Sequence, residues 1–229
     1  MAKKTYFNWS SGKDASMGLY TLLQDSNFQV DRLVTSVNKS LERVTMHGLH
    51  KQLLVEQTKS IGIPLSVIEL PEKTDMETYN RLMLESTSQL INEGYTHAAF
   101  GDIFLEDLRA YREKQLESVG LNAVFPLWKK DTRELMSQFI ANGFKAITVC
   151  VDAQKLDESF VGREIDENFL NDLPSNVDPC GENGEFHTFC FDGPIFDYPI
   201  KFDVGEKVCK TYEHDHESFG FWFQNLELQ

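Results

Sequence analysis

The chain has 229 residues, of which 41% are hydrophobic and 25% are charged, a composition typical of a globular protein with one large domain or two small ones. Its 36 acidic residues outnumber its 22 basic ones and give a formal net charge of −14, which disfavours binding to nucleic acid. No stretch approaches the roughly 18 apolar residues of a membrane span, and no signal-peptide core is visible. We therefore expect no membrane partner and a cytoplasmic location.

The first predicted elements are a strand, a short loop and a helix. An apolar run at 5–9 predicts the strand, and apolar residues three or four positions apart from Ala15 to Leu23 predict the helix. The loop between them is Ser10–Asp14. The first backbone N–H groups of a helix have no partner within it and lie at the positive end of its dipole. The junction is therefore suited to binding an anion.

The side chains of this loop suit a phosphate group in particular. Gly12 lets the backbone approach the anion closely, and Lys13 supplies a positive charge. Ser10 and Ser11 add hydroxyl donors. Asp14 would repel a bare phosphate, so its expected role is to hold a magnesium ion that bridges phosphates. The loop is not a Walker A motif, because a phenylalanine stands where that motif needs its first glycine.

Strands and helices alternate over the following residues. Further strands are predicted at 30–37, 65–70 and 96–100, with helices at 47–60 and 76–91 between them. This alternation predicts a Rossmann-like, doubly wound parallel sheet with right-handed crossovers. Such sheets bind ligands beyond the carboxyl ends of their strands. The Ser10–Asp14 loop follows the first strand and so falls at that edge.

The segment after the fourth predicted strand begins with Gly101 and Asp102. If the sheet is parallel, Asp102 lies at the same edge as the Ser10–Asp14 loop. Arg109 and Glu113 are four residues apart and share a helix face. Two interpretations fit: a solvent-facing helix with ion pairs, or a site in which Asp102 lies near the metal or an amine-bearing substrate and Arg109 binds an anionic group.

The chain then continues into a predicted second domain. Strands are expected at 122–125 and 145–151, and Pro126 between them cannot donate a ladder hydrogen bond. We place the boundary there, with a nucleotide-binding domain over 1–126 and a smaller C-terminal α+β substrate domain over 127–229. The aromatic residues at 219–223 are expected to cover an exposed edge or to form a subunit contact in a homo-oligomer.

An acidic, glycine-rich loop at 178–194 is the second segment that suggests a site. It carries Glu182, Asn183, Glu185 and His187 between and beside glycines. A tight loop of this kind can present side chains to a ligand, and a histidine can move protons near neutral pH. The same residues also fit a glycine turn followed by a strand with alternating aromatic side chains.

These segments together resemble a known family. The Ser10–Asp14 loop is similar to the SGGKDS signature of the PP-loop ATP pyrophosphatases, with Ser11 and Ala15 departing from it. The further matching segments, in chain order, are GDI at 101–103 with Arg109 and Glu113, FPLW at 125–128, Gly162-Arg163, CGENGEFHTF at 180–189 and DGP at 192–194. In this combination, over residues 4 to 200, the chain resembles the diphthine-ammonia ligase family.

The resemblance implies an ATP-dependent ligase that adenylates a carboxylate, releases pyrophosphate and transfers ammonia to the acyl group. By this resemblance, Asp14 is the magnesium ligand. The residues expected at the ATP site are Ser10, Ser11, Gly12, Lys13, Asp14, Ser36, Asn38, Met46, His47 and Gly101. The resemblance places at the substrate and ammonia site Asp102, Arg109, Glu113, Glu182, Asn183, Glu185 and His187. The residues expected to act in catalysis are Lys13, Asp14, Asp102, Glu185 and His187.

Two alternatives stay open. The chain could be another PP-loop enzyme, such as a tRNA-modifying one, although it has neither the basic surface nor the cysteine pairs that such enzymes usually need. It could also be a nucleotide-binding sensor without catalysis, because Ser11 and Ala15 alter the signature. In the ligase interpretation, Glu185 or Asp102 binds ammonium and accepts its proton, so Glu185→Gln is expected to spare ATP binding and abolish amide formation.

Overall fold

The computed structural model describes residues 1–40, 42–44, 48–72, 74–214 and 217–229. Within these ranges the chain forms two β-sheets with helices packed around them. The first sheet is parallel apart from one short strand, and the second is antiparallel. The structure confirms the predicted doubly wound α/β fold with a smaller α+β part at the C-terminal end.

The first sheet has its strands in the order β4–β2–β1–β5–β6. These strands are β1 Lys3–Asn8, β2 Phe28–Asn38, β4 Leu65–Leu70, β5 His97–Ala99 and β6 Asn122–Val124, and β3 Arg43–Val44 pairs antiparallel with the end of β2. The chain moves outward from β1 to β2 and β4, and then returns to place β5 on the other side of β1. The strand order therefore reverses between β1 and β5, where doubly wound sheets form their ligand crevice.

Six α-helices accompany the sheets within the described ranges. They are α1 Lys13–Leu23, α2 Lys51–Ile61, α3 Met76–Asn92, α4 Glu106–Glu117, α5 Thr132–Ala141 and α6 Glu167–Asp172. The Asp75 side chain caps α3 by accepting from the N–H of Thr78, and Gly62 ends α2 in the left-handed conformation. Of the helices described, none is long and apolar enough to cross a membrane.

The second sheet has the order β8–β7–β10–β9. Its strands are β7 Lys145–Asp152, β8 Phe186–Asp192, β9 Phe202–His214 and β10 Glu217–Leu228. The predicted strand at 145–151 corresponds to β7, and the aromatic residues after the acidic loop form β8. The long β9–β10 hairpin was not predicted from the sequence.

One hydrophobic core joins the two sheets. It includes Phe7 and Leu53 from the first sheet and its helices, and Phe139 and Phe189 from the C-terminal part, each of them fully buried. The two parts therefore pack on each other directly, and the loops at their junction are held from both sides. The predicted domain boundary at 126 stays a prediction.

Candidate functional site

A cavity of about 820 Å³ lies at the carboxyl edge of the parallel sheet, within the size range of roughly 300–1,000 Å³ typical of small-molecule sites. It is lined by the loop after β1, the residues after β5 and the acidic loop with the start of β8, together with residues from β2, α3 and α4. The predicted site residues in its wall are Ser10, Gly12, Lys13, Asp14, Ser36, Gly101, Asp102, Glu182, Asn183 and His187.

The backbone of the Ser10–Asp14 loop is anchored on both sides. Ser11 has a φ of 69°, in the left-handed region, and its side chain is buried. Its carbonyl accepts hydrogen bonds from the N–H of Cys190 at 2.9 Å and from Nε2 of Gln57 at 3.0 Å. Ser11 is not among the described residues that line the cavity. In this structure it therefore shapes the loop, and a phosphate contact through its hydroxyl stays a prediction.

The left-handed conformation of Ser11 gives a test of loop strain. We expect Ser11→Gly to be about 1 kcal/mol more stable than Ser11→Ala, because an L-residue pays about that much for a left-handed backbone and glycine does not. Both variants lack the hydroxyl, so the comparison isolates the backbone. Thermal unfolding measures the difference, and equal stability of the two variants would show that the loop is not strained at this position.

Lys13 is the most deeply buried charged residue of the loop, with only 2% of its surface exposed. Its Nζ lies 2.7 Å from Asp14 Oδ2 and donates to the carbonyl of Cys180, and its N–H donates to Thr188 Oγ1 at 3.0 Å. Burial lowers the pKa of Lys13, but the Asp14 carboxylate, through its charge and its hydrogen bond, and secondarily Glu182 outweigh it, so the net pKa is raised. Lys13 therefore stays protonated at neutral pH.

Three carboxyl groups line the cavity close to Lys13. Burial raises the pKa values of Asp14 and Asp102, and it raises the pKa of Glu182 to about 7. Glu182 Oε1 accepts from the N–H of Ile103 at 2.7 Å, and Arg112 Nε approaches Asp102 Oδ2 to 2.9 Å. The cavity therefore has one acidic wall beside the lysine, and a carboxyl group there titrates near neutral pH.

His187 lies in the same wall, but its pKa differs from the value near 7 that the sequence led us to expect. Burial, and secondarily the charge of Lys13, lowers its pKa to about 4. The imidazole is therefore neutral at physiological pH, whereas the sequence argument assumed an ordinary histidine that exchanges protons near pH 7. Its position in the cavity agrees with a contact to substrate, which stays a prediction.

Gly101 lets β5 approach the first turn of α1. A Cβ atom on Gly101 would lie 2.9 Å from the carbonyl carbon of Asp14 and 3.0 Å from the nitrogen of Ala15. Both are backbone atoms, so they could give way only if the helix start moved. The close approach therefore fixes the position of the loop against the strand.

Gly101→Ala is accordingly expected to destabilise the fold by about 1–3 kcal/mol, the usual cost of an added methyl group in a tightly packed site. It should also weaken nucleotide binding, because Asp14 and Lys13 shift with the helix. Thermal unfolding and nucleotide titration measure the two effects. Gly205→Ala is the matched control, since a Cβ there would come no closer than 3.3 Å, to the movable Asn225 side chain. If Gly101→Ala had the stability and nucleotide affinity of the wild type, the close approach of Gly101 would not fix the position of the loop.

Glu185 is placed differently from its neighbours in the acidic loop. It is 2% exposed, and its carboxylate accepts from the N–H of Asp178 at 3.1 Å, the N–H of Asn183 at 3.0 Å and Asn183 Nδ2 at 3.1 Å. It is not among the described residues of the cavity wall. In this structure Glu185 holds the loop that presents Glu182 and Asn183, and its predicted role in catalysis stays untested.

Other predicted residues lie away from the cavity or outside the described ranges. Arg109 Nε pairs with Glu113 Oε1 at 2.7 Å, and the Arg109 guanidinium carbon lies 4.5 Å from the centre of the Trp128 ring. Neither Arg109 nor Glu113 belongs to the described cavity wall. Asn38, at the end of β2, accepts from the N–H of Ser40 and is likewise outside that wall. The predicted nucleotide contacts Met46 and His47 lie outside the residues that the structure describes.

Two polar residues that organise the site were not predicted from the sequence. Arg112 lines the cavity and pairs with Asp102; only its position ten residues after Asp102 could have suggested it. Gln57 is fully buried, accepts from Trp9 Nε1 at 2.7 Å, and donates to the carbonyls of Ser11 and, at 2.6 Å, Cys190. A glutamine on a helix gives no sequence signal for such a role.

These features define a class of protein. A loop with a buried lysine, at the start of a helix and at the reversal point of a parallel sheet, is the arrangement by which α/β proteins bind nucleotide phosphates. Comparison with known families then identifies the chain more closely. The family model for the diphthamide synthase N-terminal domain matches residues 3–123, and that for the diphthamide synthase C-terminal domain matches residues 131–220. The chain therefore belongs to the diphthamide synthase family, which confirms the resemblance found in the sequence.

The individual relatives that match are named diphthine–ammonia ligases. The diphthine–ammonia ligase of Bos taurus is 31% identical over 133 residues, covering 56% of this chain and 49% of that protein. The diphthine–ammonia ligase of Saccharomyces cerevisiae is 24% identical and covers 82% of this chain and 33% of that protein. This chain thus spans half or less of the length of these relatives.

One solved structure overlaps the fold in part. It is the U34-tRNA thiolase NcsA from Methanococcus maripaludis with its [4Fe-4S] cluster, 17% identical to this chain, with a TM-score of 0.39 over 60% of this chain and 55% of that one. In the described part of this chain, no group of three or more histidine, cysteine, aspartate or glutamate side chains could hold a metal ion.

Proposed function

We propose that this chain is an ATP-dependent ligase that adenylates a carboxylate and transfers ammonia to it, as the names of its relatives suggest. The observation that carries the proposal is the buried, protonated Lys13 at the start of α1, in the wall of a large cavity that also carries the carboxyl groups of Asp14, Asp102 and Glu182. The lysine suits the phosphates of ATP. The carboxyl groups suit ammonium and the proton transfer that amide formation requires.

The phosphate end of ATP would lie at the Ser10–Asp14 loop. Lys13 Nζ and the positive end of the α1 dipole would stabilise the charge on the departing pyrophosphate, where preorganised charges and dipoles act most strongly. Magnesium, which usually binds proteins through one or two carboxylates together with substrate phosphates, would neutralise phosphate charge there. Asp14 fits the ion, because its carboxylate is about a third exposed, at 31%, and belongs to the cavity wall.

The carboxylate and ammonia would meet on the acidic side of the cavity. A carboxylate oxygen attacks the α-phosphorus, the bond to pyrophosphate breaks, and ammonia then attacks the acyl carbon as AMP leaves. Ammonia must lose a proton during this step, so a nearby base is needed. Glu182 is well suited, because a pKa of about 7 matches the pH at which a general base works best, and Asp102 lies in the same wall.

The experiment that tests the proposal is an analysis of products with ATP, ammonium chloride and a diphthine-bearing acceptor protein. The proposal predicts AMP, pyrophosphate and amide in equal amounts, and no AMP without the acceptor. Formation of ADP and phosphate would contradict adenylation. Nucleotide binding with no turnover would instead support the sensor without catalysis, which the departures at Ser11 and Ala15 favour.

A further inference from the structure

The cavity extends beyond the carboxyl edge of the parallel sheet, into a space between α3 and α4. Its floor there is the face of the sheet that carries Tyr6, Val34 and Ile68. Its side walls are formed by apolar residues of the two helices, namely Tyr79, Met83, Leu84, Leu105, Leu108 and Tyr111. We call this part of the cavity the helix arm. Its α3 wall runs from Tyr79 to Thr87, a rise of about 12 Å along the helix.

The helix arm lacks most of the charges found in the rest of the cavity. Of the described wall residues, α3 contributes none that is charged, and α4 contributes Arg112 alone. The acidic side chains of the described wall, Asp14, Asp102 and Glu182, lie at the carboxyl edge of the sheet. Burying a charge among apolar side chains is unfavourable unless it is paired. A ligand in the arm is therefore uncharged along most of its length.

Arg112 is placed where the helix arm meets the edge of the sheet. Its Nε lies 2.9 Å from Asp102 Oδ2, and its Nη2 donates to Asp102 Oδ1 at 3.2 Å. Its guanidinium carbon lies 4.3 Å from the centre of the Phe100 ring. The contacts with Asp102 use Nε and Nη2 and leave the two N–H groups of Nη1 for a ligand. A guanidinium is well suited to a carboxylate, which accepts from it with both oxygens.

The helix arm also opens to solvent between apolar side chains. Leu84 is 51% exposed and Tyr111 is 41% exposed, although both belong to the wall. The Tyr111 hydroxyl donates to Asn80 Oδ1 at 3.4 Å and so connects α4 to α3. Apolar surface of this kind gains free energy when a ligand covers it. The arm is therefore accessible to a ligand from solvent and apolar enough to hold one.

We propose that the helix arm binds the carboxylic acid that the proposed reaction amidates, and that this acid is a small molecule with an uncharged alkyl or aryl body. Its carboxylate would lie against Arg112, beside Asp102 and in the same cavity as Lys13. Its apolar body would lie between Met83 and Leu108. The inference rests on the proposed function, because it names the class of substrate for that reaction. With ATP and ammonia as co-reactants, the product would be the primary amide of this acid.

The adenine of ATP is the competing occupant of the helix arm. The family resemblance places adenosine at the end of β2, and Ser36 lies there in the cavity wall. The strand order puts β2 and β5 on opposite sides of β1, and Arg112 belongs to the helix that follows β5. Adenosine at the end of β2 therefore leaves the Arg112 side to the acid, so both ligands can bind together.

The test measures binding first and turnover second, on the full chain. Straight-chain acids from acetate to octanoate are titrated by calorimetry, with and without magnesium and α,β-methylene-ATP, an analogue that resists loss of pyrophosphate. We expect affinity to rise about fourfold for each added methylene, the usual gain from burying one such group. The methyl ester of octanoate should bind about tenfold more weakly than octanoate, because it offers Arg112 no charged acceptor.

Two exposed leucines give a matched pair of variants. Leu84→Asn places a polar group in the helix arm and should weaken octanoate binding about fivefold, with acetate binding unchanged. Leu23→Asn is the control, since Leu23 lies on α1, is 46% exposed and is not among the described residues of the cavity wall. Both positions are exposed, so the fold should tolerate either change, and thermal unfolding checks this.

Turnover with ATP, magnesium and ammonium chloride separates this inference from the proposed function. Chain-length-dependent binding without AMP formation would support the helix arm as an acid site and contradict the ligase reaction. Amide formation on a diphthine-bearing acceptor protein, with no binding of octanoate, would overturn the inference and leave the ligase reaction standing. Equal affinity for acetate and octanoate would also overturn it. Displacement of octanoate by α,β-methylene-ATP would assign the arm to adenine instead.

Discussion

Lys13→Ala is expected to lower the affinity for ATP about thirtyfold or more, since loss of one partner of a buried charge pair costs roughly 2–5 kcal/mol of binding energy. The reason is that Lys13 is 2% exposed and its Nζ is held between the Asp14 carboxylate and the Cys180 carbonyl. Removing it leaves the Asp14 carboxylate without its positively charged partner, so this part of the site would repel phosphates.

The rise in melting temperature produced by ATP measures this effect, because a ligand that binds the folded state stabilises it by an amount that increases with the logarithm of its affinity. Lys130→Ala serves as the control, since Lys130 is exposed and not among the described residues of the cavity wall. An unchanged ATP-dependent shift in Lys13→Ala would mean that phosphates bind elsewhere.

Glu185→Gln is expected to lower the melting temperature by roughly 5 °C, from a loss of about 1.5–3 kcal/mol when a buried charged acceptor is replaced. The carboxylate accepts three hydrogen bonds from Asp178 and Asn183. An amide at this position would direct N–H donors at other donors. The loop that presents Glu182 and Asn183 to the cavity would lose its support.

The matched control is Glu182→Gln, whose remaining carbonyl oxygen can still accept from the N–H of Ile103, so its melting temperature should stay near that of the wild type. In the proposed reaction, Glu182→Gln should slow amide formation without unfolding the loop. If Glu185→Gln keeps the wild-type melting temperature and loses only amide formation, Glu185 acts directly in the chemistry, as the sequence argument first expected.

The sequence was sufficient for the doubly wound sheet because each strand and helix in that part has a clear local signal. The apolar run of β4 and the glycine that ends α2 are examples. The β9–β10 hairpin gave no such signal. Strand β9 contains many charged and polar residues and is exposed over 203–213, so the alternation that marks a half-buried strand is weak there. Its pairing with β10, which packs on the core through residues such as Leu226, holds it in place.

The residues of the candidate site, too, could be predicted from the sequence only in part. The Ser10–Asp14 loop and Asp102 could be located because a parallel sheet brings the ends of its strands to one edge. Gln57 and Arg112 could not, because they reach the site only after α2 and α4 have packed. The positions of Glu185 and Arg109 depended on hydrogen bonds and ring contacts that sequence spacing does not encode.

Binding of phosphates at the Ser10–Asp14 loop is tested most directly by a calorimetric titration of the wild-type chain with ATP, with magnesium and again after its removal by a chelator. We expect binding at one site, tightened by magnesium, and an Asp14→Asn variant in which most of that magnesium dependence is lost. Absence of binding at millimolar ATP, or binding that Asp14→Asn leaves unchanged in both conditions, would contradict the assignment of the Ser10–Asp14 loop as the phosphate site.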